Sequence, residues 1–292
     1  MLLSVGVEVP RSNLGHVKLP LHYTDGGDFF ISDITGLNDM TSTNSYKSGR
    51  NIIGTKYMNS VVQPRNIEIH FRTVYTGKTY TASDLRRKLY NIFPSGRAID
   101  LILTNEFRRV YITVYMENIS ANMFVAEPEY VVKLAAPYPW YIEYPEGASK
   151  GNLRTRVEFK GAGKGYENVV DLTGYVGDAP SPFLMNRKLE PDAWYNRIIA
   201  GDDQLSFGPS YNSGFKDGDW IKLDTDPNNY TAKYWGFDGR LERSAHRAII
   251  GGQAFLTLDS SNPYLKMLYQ NNNKKELDPW VVVYIDKRWR TV

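Results

Sequence analysis

Ile67-Glu68-Ile69-His70-Phe71-Arg72 alternates apolar and polar side chains without a break, and this two-residue period decides the fold. Successive side chains on a strand point to opposite faces, so Ile67, Ile69 and Phe71 predict a core face and Glu68, His70 and Arg72 a polar one. The pattern returns at Val110, Ile112, Val114 and Met116, which alternate with Tyr111, Thr113, Tyr115 and Glu117. Between the two strands the period changes. Leu85, Leu89 and Ile92 share one helical face, and Thr81-Ala-Ser-Asp84 reads as a capping box. Pro94 and Gly96 end this helix, which is expected from Ser83 to about Phe93. Further strands are expected near 28–34, 98–104 and 122–135. The first half is therefore a β-sheet structure with one packed helix.

Ala136-Pro-Tyr-Pro-Trp-Tyr-Ile-Glu-Tyr-Pro145 punctuates the chain. Proline donates no ladder hydrogen bond and restricts the residue before it, so a boundary is expected here, giving domains of 1–137 and 138–292. Beyond it, short strands are separated by turn signals at Gly161–Gly165, Pro180–Pro182, Gly201–Asp203 and Asn212–Gly214. That spacing predicts a sandwich or barrel. Trp280-Val-Val-Val-Tyr-Ile-Asp reads as a buried final strand.

One hairpin is legible residue by residue. Asp226-Pro-Asn-Asn229 is a turn, and pairing around it sets Asp224 against Thr231, Lys222 against Lys233 and Trp220 against Trp235. Ile221, Leu223, Ala232 and Tyr234 then form the core side, leaving both tryptophans on the more polar face. Two readings stay open for Trp220 and Trp235. They are an exposed aromatic pair for a sugar or a partner protein, or they lie under a loop or second layer, which is the commoner arrangement.

Composition narrows the function. Thirteen per cent of the residues are aromatic and the net charge is only +3, with both signs interspersed. Aromatic enrichment suits half-buried strands and large contact surfaces, whereas a nucleic-acid or acidic-membrane partner would call for a basic patch. Without cysteine there is no disulfide scaffold, thiol nucleophile or thiolate metal site. The N-terminal MLLSVGVE has no basic segment and too short an apolar run for a signal peptide or a membrane span, so neither is expected.

No catalytic constellation emerges, and the expectation is a protein that is not an enzyme, with no cofactor and no bound metal. His16, His22, His70 and His246 lack ligand spacing and read as solvated surface histidines. Gly161-Ala-Gly-Lys-Gly165 fits neither a phosphate loop nor a dinucleotide fingerprint. Asp224-Thr-Asp-Pro-Asn-Asn begins like a calcium loop, but Asn229 stands where glycine is needed and Trp235 where the bidentate glutamate belongs.

The order of segments carries a resemblance. Asp33-Ile-Thr-Gly-Leu37 is followed by Gln63-Pro-Arg-Asn-Ile-Glu-Ile-His-Phe71, the helix Leu85–Pro94, Arg108-Arg-Val-Tyr-Ile-Thr-Val114 and Val131-Val-Lys-Leu-Ala-Ala-Pro-Tyr138. Then come Asn196-Arg-Ile-Ile, Asp217-Gly-Asp-Trp-Ile-Lys-Leu-Asp224 and Ala254-Phe-Leu-Thr-Leu-Asp-Ser-Ser-Asn-Pro263. This resembles the distal tail protein (Dit) family of long-tailed bacteriophages, the siphoviruses. The resemblance implies a mainly-β chain, with an N-terminal β-sandwich carrying one helix and a C-terminal galectin-like β-sandwich. It implies a homo-hexameric ring at the virion tail tip, assembled in host cytoplasm. Its partners would be the tail-tube protein, the tail-associated hub protein and, in some relatives, receptor-binding proteins. DNA would pass through the ring in transit, and no membrane would be engaged. A carbohydrate-binding lectin-like module or receptor-binding protein is the rival expectation, motivated by the tyrosine content and by Trp220 and Trp235.

Overall fold

The computed structural model describes residues 1–9, 15–25, 27–38, 40–47, 56–74, 82–121, 129–144, 154–160, 167–188, 193–207, 220–227, 229–235, 242–244, 249–252, 255–271 and 280–292. Two compact units emerge. Met1–Tyr144 forms the first together with Trp289–Val292, and Pro145–Arg288 forms the second.

The first unit contains β1 (Leu2–Glu8), β2 (His16–Leu19), β3 (Phe29–Thr35), β4 (Ser42–Lys47), β5 (Lys56–Val62), β6 (Arg65–Thr73), helix α1 (Ala82–Ile92), β7 (Ala98–Asn105), β8 (Arg109–Ala121), β9 (Glu129–Ala136) and β10 (Tyr141–Glu143). The main sheet runs β2-β1-β7-β8-β9-β6-β3, with antiparallel neighbours. The alternation predicted for β6 holds: Ile67, Ile69 and Phe71 are fully buried, and Glu68, His70 and Arg72 face away from the core. Val110, Ile112 and Val114 do the same on β8. Both sets join one core with residues of β1, β3, β7 and β9, so the sheet folds over on itself in the manner of a sandwich.

Helix α1 covers this core through Leu85, Leu89, Ile92 and Phe93. The Phe93 ring lies 6.0 Å from Phe71, which meets Phe29 edge-on at 5.5 Å. Such aromatic contacts add specificity to burial already worth about 1.5–3 kcal/mol per large side chain. Pro94 and Gly96, with φ near +70°, end the helix as the sequence predicts. The cap residue Thr81 lies outside the described residues.

The proline-rich stretch stays with the first unit as far as Tyr144, because β10 pairs with β8 through Ile142–Tyr111 and Glu143–Val110. The chain crosses there, seven residues beyond the boundary expected at 137/138. It crosses back at 288/289, where the two-residue strand Arg288–Trp289 pairs with β10. The second unit is thus inserted into the first.

That second unit contains β11 (Thr155–Lys160), β12 (Glu167–Asp171), β13 (Ser181–Lys188), β14 (Ala193–Ala200), β15 (Asp203–Phe207), β16 (Trp220–Asp224), β17 (Thr231–Trp235), β18 (Glu242–Ser244), β19 (Ile249–Gly252), β20 (Thr257–Leu258), β21 (Tyr264–Asn271) and β22 (Trp280–Ile285). One sheet runs β11-β22-β13-β16-β17-β18, with β20 also pairing β13. The other runs β12-β21-β14-β15-β19. Phe183, Met185, Leu223 and Val283 of the first meet Ile198, Leu205, Leu265 and Met267 of the second in a single core. This is a β-sandwich. The predicted turn at 201–203 closes β14 onto β15 through Ala200–Asp203, whereas those at 161–165 and 212–214 lie outside the described residues. β22 is buried as predicted, though central in its sheet and not the end of the chain.

Candidate interaction surfaces

At one end of the first unit the chain is tied together by a buried arginine. Arg65 is 2% exposed. It opens β6 on the parity of Ile67, Ile69 and Phe71, so the two-residue period itself turns its side chain inward. Its guanidinium donates to Pro139 O (3.1 Å), Gly36 O (3.4 Å), Leu37 O and Arg290 O (2.8 Å), and lies 4.7 Å from the centre of the Tyr141 ring. A planar fork of five donors suits several carbonyls at once, which a lysine would not. Gly36 makes this possible, since its φ is +81° and a Cβ there would run into the Asn66 carbonyl. Tyr141 donates to Leu37 O at 2.7 Å, and burial pushes its phenol up to about 12. Beside this knot Trp289 donates to Glu143 Oε2 at 2.9 Å, and the Arg108 guanidinium stacks 3.8 Å above the Trp289 ring.

The opposite face of the same sheet is a charged ladder. Glu129 on β9 accepts from Ser32 and Arg72, with His70 Nδ1 at 3.6 Å. Lys133 reaches Glu68 at 2.8 Å, and His70 Nε2 lies 4.0 Å from Glu68. His70 is therefore held between two glutamates, not freely solvated as its sequence position suggests. The Lys133 hydrogen bond lowers the Glu68 pKa. Burial would raise Glu129, but hydrogen bonds from Ser32, His70 and Arg72 outweigh it and the net shift is downward.

Strands β4 and β5 stand apart. Among the described residues they pair only with each other, from Ser42–Val62 to Lys47–Lys56 with one bulge, and every residue of β4 is exposed. At their base Gln63 N donates to Thr41 O at 2.9 Å.

In the second unit the predicted hairpin register holds throughout: Asp224–Thr231, Lys222–Lys233 and Trp220–Trp235 are cross-strand partners. Asn229 N donates to Asp226 O at 2.9 Å, closing the turn. Ile221, Leu223 and Ala232 are buried. Trp220 is half-buried, with its ring edge-to-face against Trp280 at 5.0 Å. The Trp235 side chain lies outside the described residues.

The stretch that begins like a calcium loop is occupied by arginine. Asp224, Asp226 and Asp286 converge on Arg154 at 3.3, 3.8 and 3.3 Å, and Arg288 contacts Asp226 at 3.3 Å and Asp286 at 3.8 Å. Burial pushes the Asp286 pKa up, against the pull of the two guanidiniums. Among the described residues no group of three or more His, Cys, Asp or Glu is arranged to hold a metal ion. His16 and His22 are exposed, and His246 lies outside the described residues. No described helix is long and apolar enough to cross a membrane.

Residues 19–132 match the family of the phage tail protein RIFT-related domain. No curated protein matches this sequence. Among solved structures, the Dit protein of phage SPP1, described as a paradigm of the hub adsorption apparatus of phages infecting Gram-positive hosts, aligns over 98% of this chain and 99% of its own, with TM-score 0.58 and 10% identity. The phage P2 baseplate in its activated conformation with Ca aligns over 99% of both chains at TM-score 0.43 and 12% identity. Residues 19–132 are thus similar to the phage tail RIFT-related domain, and the fold of the whole chain is similar to that of the SPP1 Dit protein.

Proposed function

We propose, for a chain that carries a phage tail domain and the fold of a tail-hub protein, that it is the distal tail hub itself: a homo-hexameric ring joining the tail tube to the tail-associated hub protein and letting DNA through. The first unit closes the ring, and the second, a galectin-like sandwich, carries contacts to further tail-tip partners such as receptor-binding proteins. The virion tail tip is its place of work. The role is structural, without catalysis.

The observation that supports this reading best is the β4–β5 hairpin. Isolated two-stranded hairpins are marginal in water, and two unpaired strand edges invite pairing with another chain. Six consecutive exposed residues on β4 gain cover if a second copy lies against them. A closed ring gives each copy the same neighbour and leaves no open edge. A net charge of +3 suits a conduit that must release DNA, since each phosphate neutralised by Lys or Arg strengthens binding.

The test is mass and shape in solution. Light scattering should give six copies of 33.4 kDa, about 200 kDa, and negative-stain images should show six-fold rings. Because Gln63 N already meets Thr41 O, residues 42–62 can be replaced by a two-residue turn. That variant should stay folded and fall to monomer. A wild-type chain that remains monomeric at high concentration would sink the proposal.

A further inference from the structure

We propose that the outer face of the β11-β22-β13-β16-β17 sheet is a saccharide-binding platform centred on Trp220 and Trp280. Strand parity puts Val281, Val283 and Ile285 in the core, so Trp280, Val282 and Tyr284 face outward, on the same side of the sheet as Lys222 and Lys233. Trp280 is 37% exposed, and its ring is fixed from two sides. Trp220 packs against it at 5.0 Å and 72°, and Trp280 Nε1 donates to Glu158 Oε1 at 2.9 Å. Glu158 is itself anchored by Arg156. An indole oriented before a ligand arrives loses little entropy when one binds.

What surrounds the indole selects the ligand. Two residues along the strands, about 7 Å away, the next row carries Glu158, Asn186, Lys222 and Lys233 around the buried Val282. That row carries ammonium donors and carboxylate acceptors side by side. An apolar ring with a polar row one sugar-width away matches a pyranose, which shows a C–H face and a rim of hydroxyls. A protein partner fits less well. Stable interfaces bury about 800 Å² per side around an apolar centre, whereas among the described residues of this face the one exposed aromatic ring is Trp280, with Lys222 and Glu158 in the next row. The inference does not depend on ring formation.

The full-length chain is to be screened on an array of hexose, N-acetylhexosamine and uronic-acid oligosaccharides, with hits measured by calorimetry. Trp280→Ala should weaken a hit about tenfold or more, and Trp220→Ala several-fold, while Trp280→Tyr keeps most of the affinity. Saturation-transfer NMR on the wild-type chain should show sugar protons against indole protons, a readout that needs no variant to fold. An array blank for the wild-type chain overturns the proposal. So does a hit indifferent to both alanine variants, or a protein partner lost on Trp280→Ala while no glycan binds.

Discussion

Replacing Arg65 by methionine isolates the knot that fastens three stretches of the first unit, residues 36–37, 139–141 and 290. Methionine fills similar space without charge, so the loss reports hydrogen bonding more than packing. Four carbonyls lose a donor: Gly36, Leu37, Pro139 and Arg290. Leu37 O keeps the Tyr141 hydroxyl at 2.7 Å, which leaves three carbonyls without this partner. An unsatisfied buried acceptor costs about 1–3 kcal/mol, and partial hydration lowers the sum, so the expected loss is about 3–5 kcal/mol. That is a large part of the roughly 5–15 kcal/mol that holds a domain. Arg65→Lys should recover only part of it, because one ammonium cannot face acceptors on three separate segments. Urea unfolding gives the free energy, and hydrogen exchange locates it. Protection should fall at β6, β10 and the C-terminal residues while the second unit keeps its own. A Met variant within 1 kcal/mol of wild type, or full rescue by lysine, would refute the reasoning.

Three further outcomes follow from the same geometry. Tyr141→Phe should cost about 1 kcal/mol near neutrality for the lost bond to Leu37 O. Its phenol rises from 10.0 to about 12, so the folded chain keeps a proton that the unfolded chain surrenders. The group's contribution is whole below pH 10 and falls as pH climbs toward 12, by up to about 1.4 kcal/mol per unit; the variant should lack that share of the alkaline decline, and superimposable stability curves would contradict it. Arg154→Ala should cost the second unit about 2–4 kcal/mol, because it takes the guanidinium from Asp224 and leaves Asp226 and Asp286 to Arg288, whereas Asp286→Asn should stay within about 1 kcal/mol by removing a carboxylate that burial already disfavours. Equal losses by urea denaturation would show that the cluster is not organised around Arg154. Mobility-shift assays at low salt should leave duplex DNA unretarded by the assembled protein, and strong retention would contradict the conduit reading.

Much of the architecture was legible because it rests on local periods. Ile67, Ile69 and Phe71 declare their face unaided, and the 224–231 turn fixes the β16–β17 register down to Trp220 against Trp235. Arg65 carries the same parity signal as Ile67, and a strict reading of the period would have placed it inside. What stayed hidden is non-local. Nothing near Trp280 in sequence points to Trp220, since their approach depends on β22 and β16 both flanking β13. The arginine-aspartate cluster likewise joins residue 154 to 224, 226 and 286, separations no periodicity reports. The domain boundary moved because Pro137 and Pro139 bend the chain without ending the sheet: Tyr141–Glu143 still finds an edge on β8.

The return of residues 289–292 to the first unit gives these clusters a common sense. An inserted unit hangs on two chain crossings, at 144/145 and 288/289, and a pull on it loads both. Each side of each crossing is pinned close by. Within the second unit Arg154 and Arg288 share Asp226 and Asp286, so entry and exit are fastened to the same carboxylates. Within the first, Trp289 bonds Glu143 and the Arg290 carbonyl takes Arg65, so departure and return are fastened to one another. Two strands pulled in parallel must break together, and that is mechanically stronger than breaking one after the other. A chain cut after Arg288 would keep the second unit's cluster yet lose the Arg65 and Glu143 contacts, leaving one anchored crossing where there were two. Under force in an optical trap, that truncated chain should release its second unit at a clearly lower load than the full chain. Equal release forces would mean that the C-terminal return is ornamental to the junction.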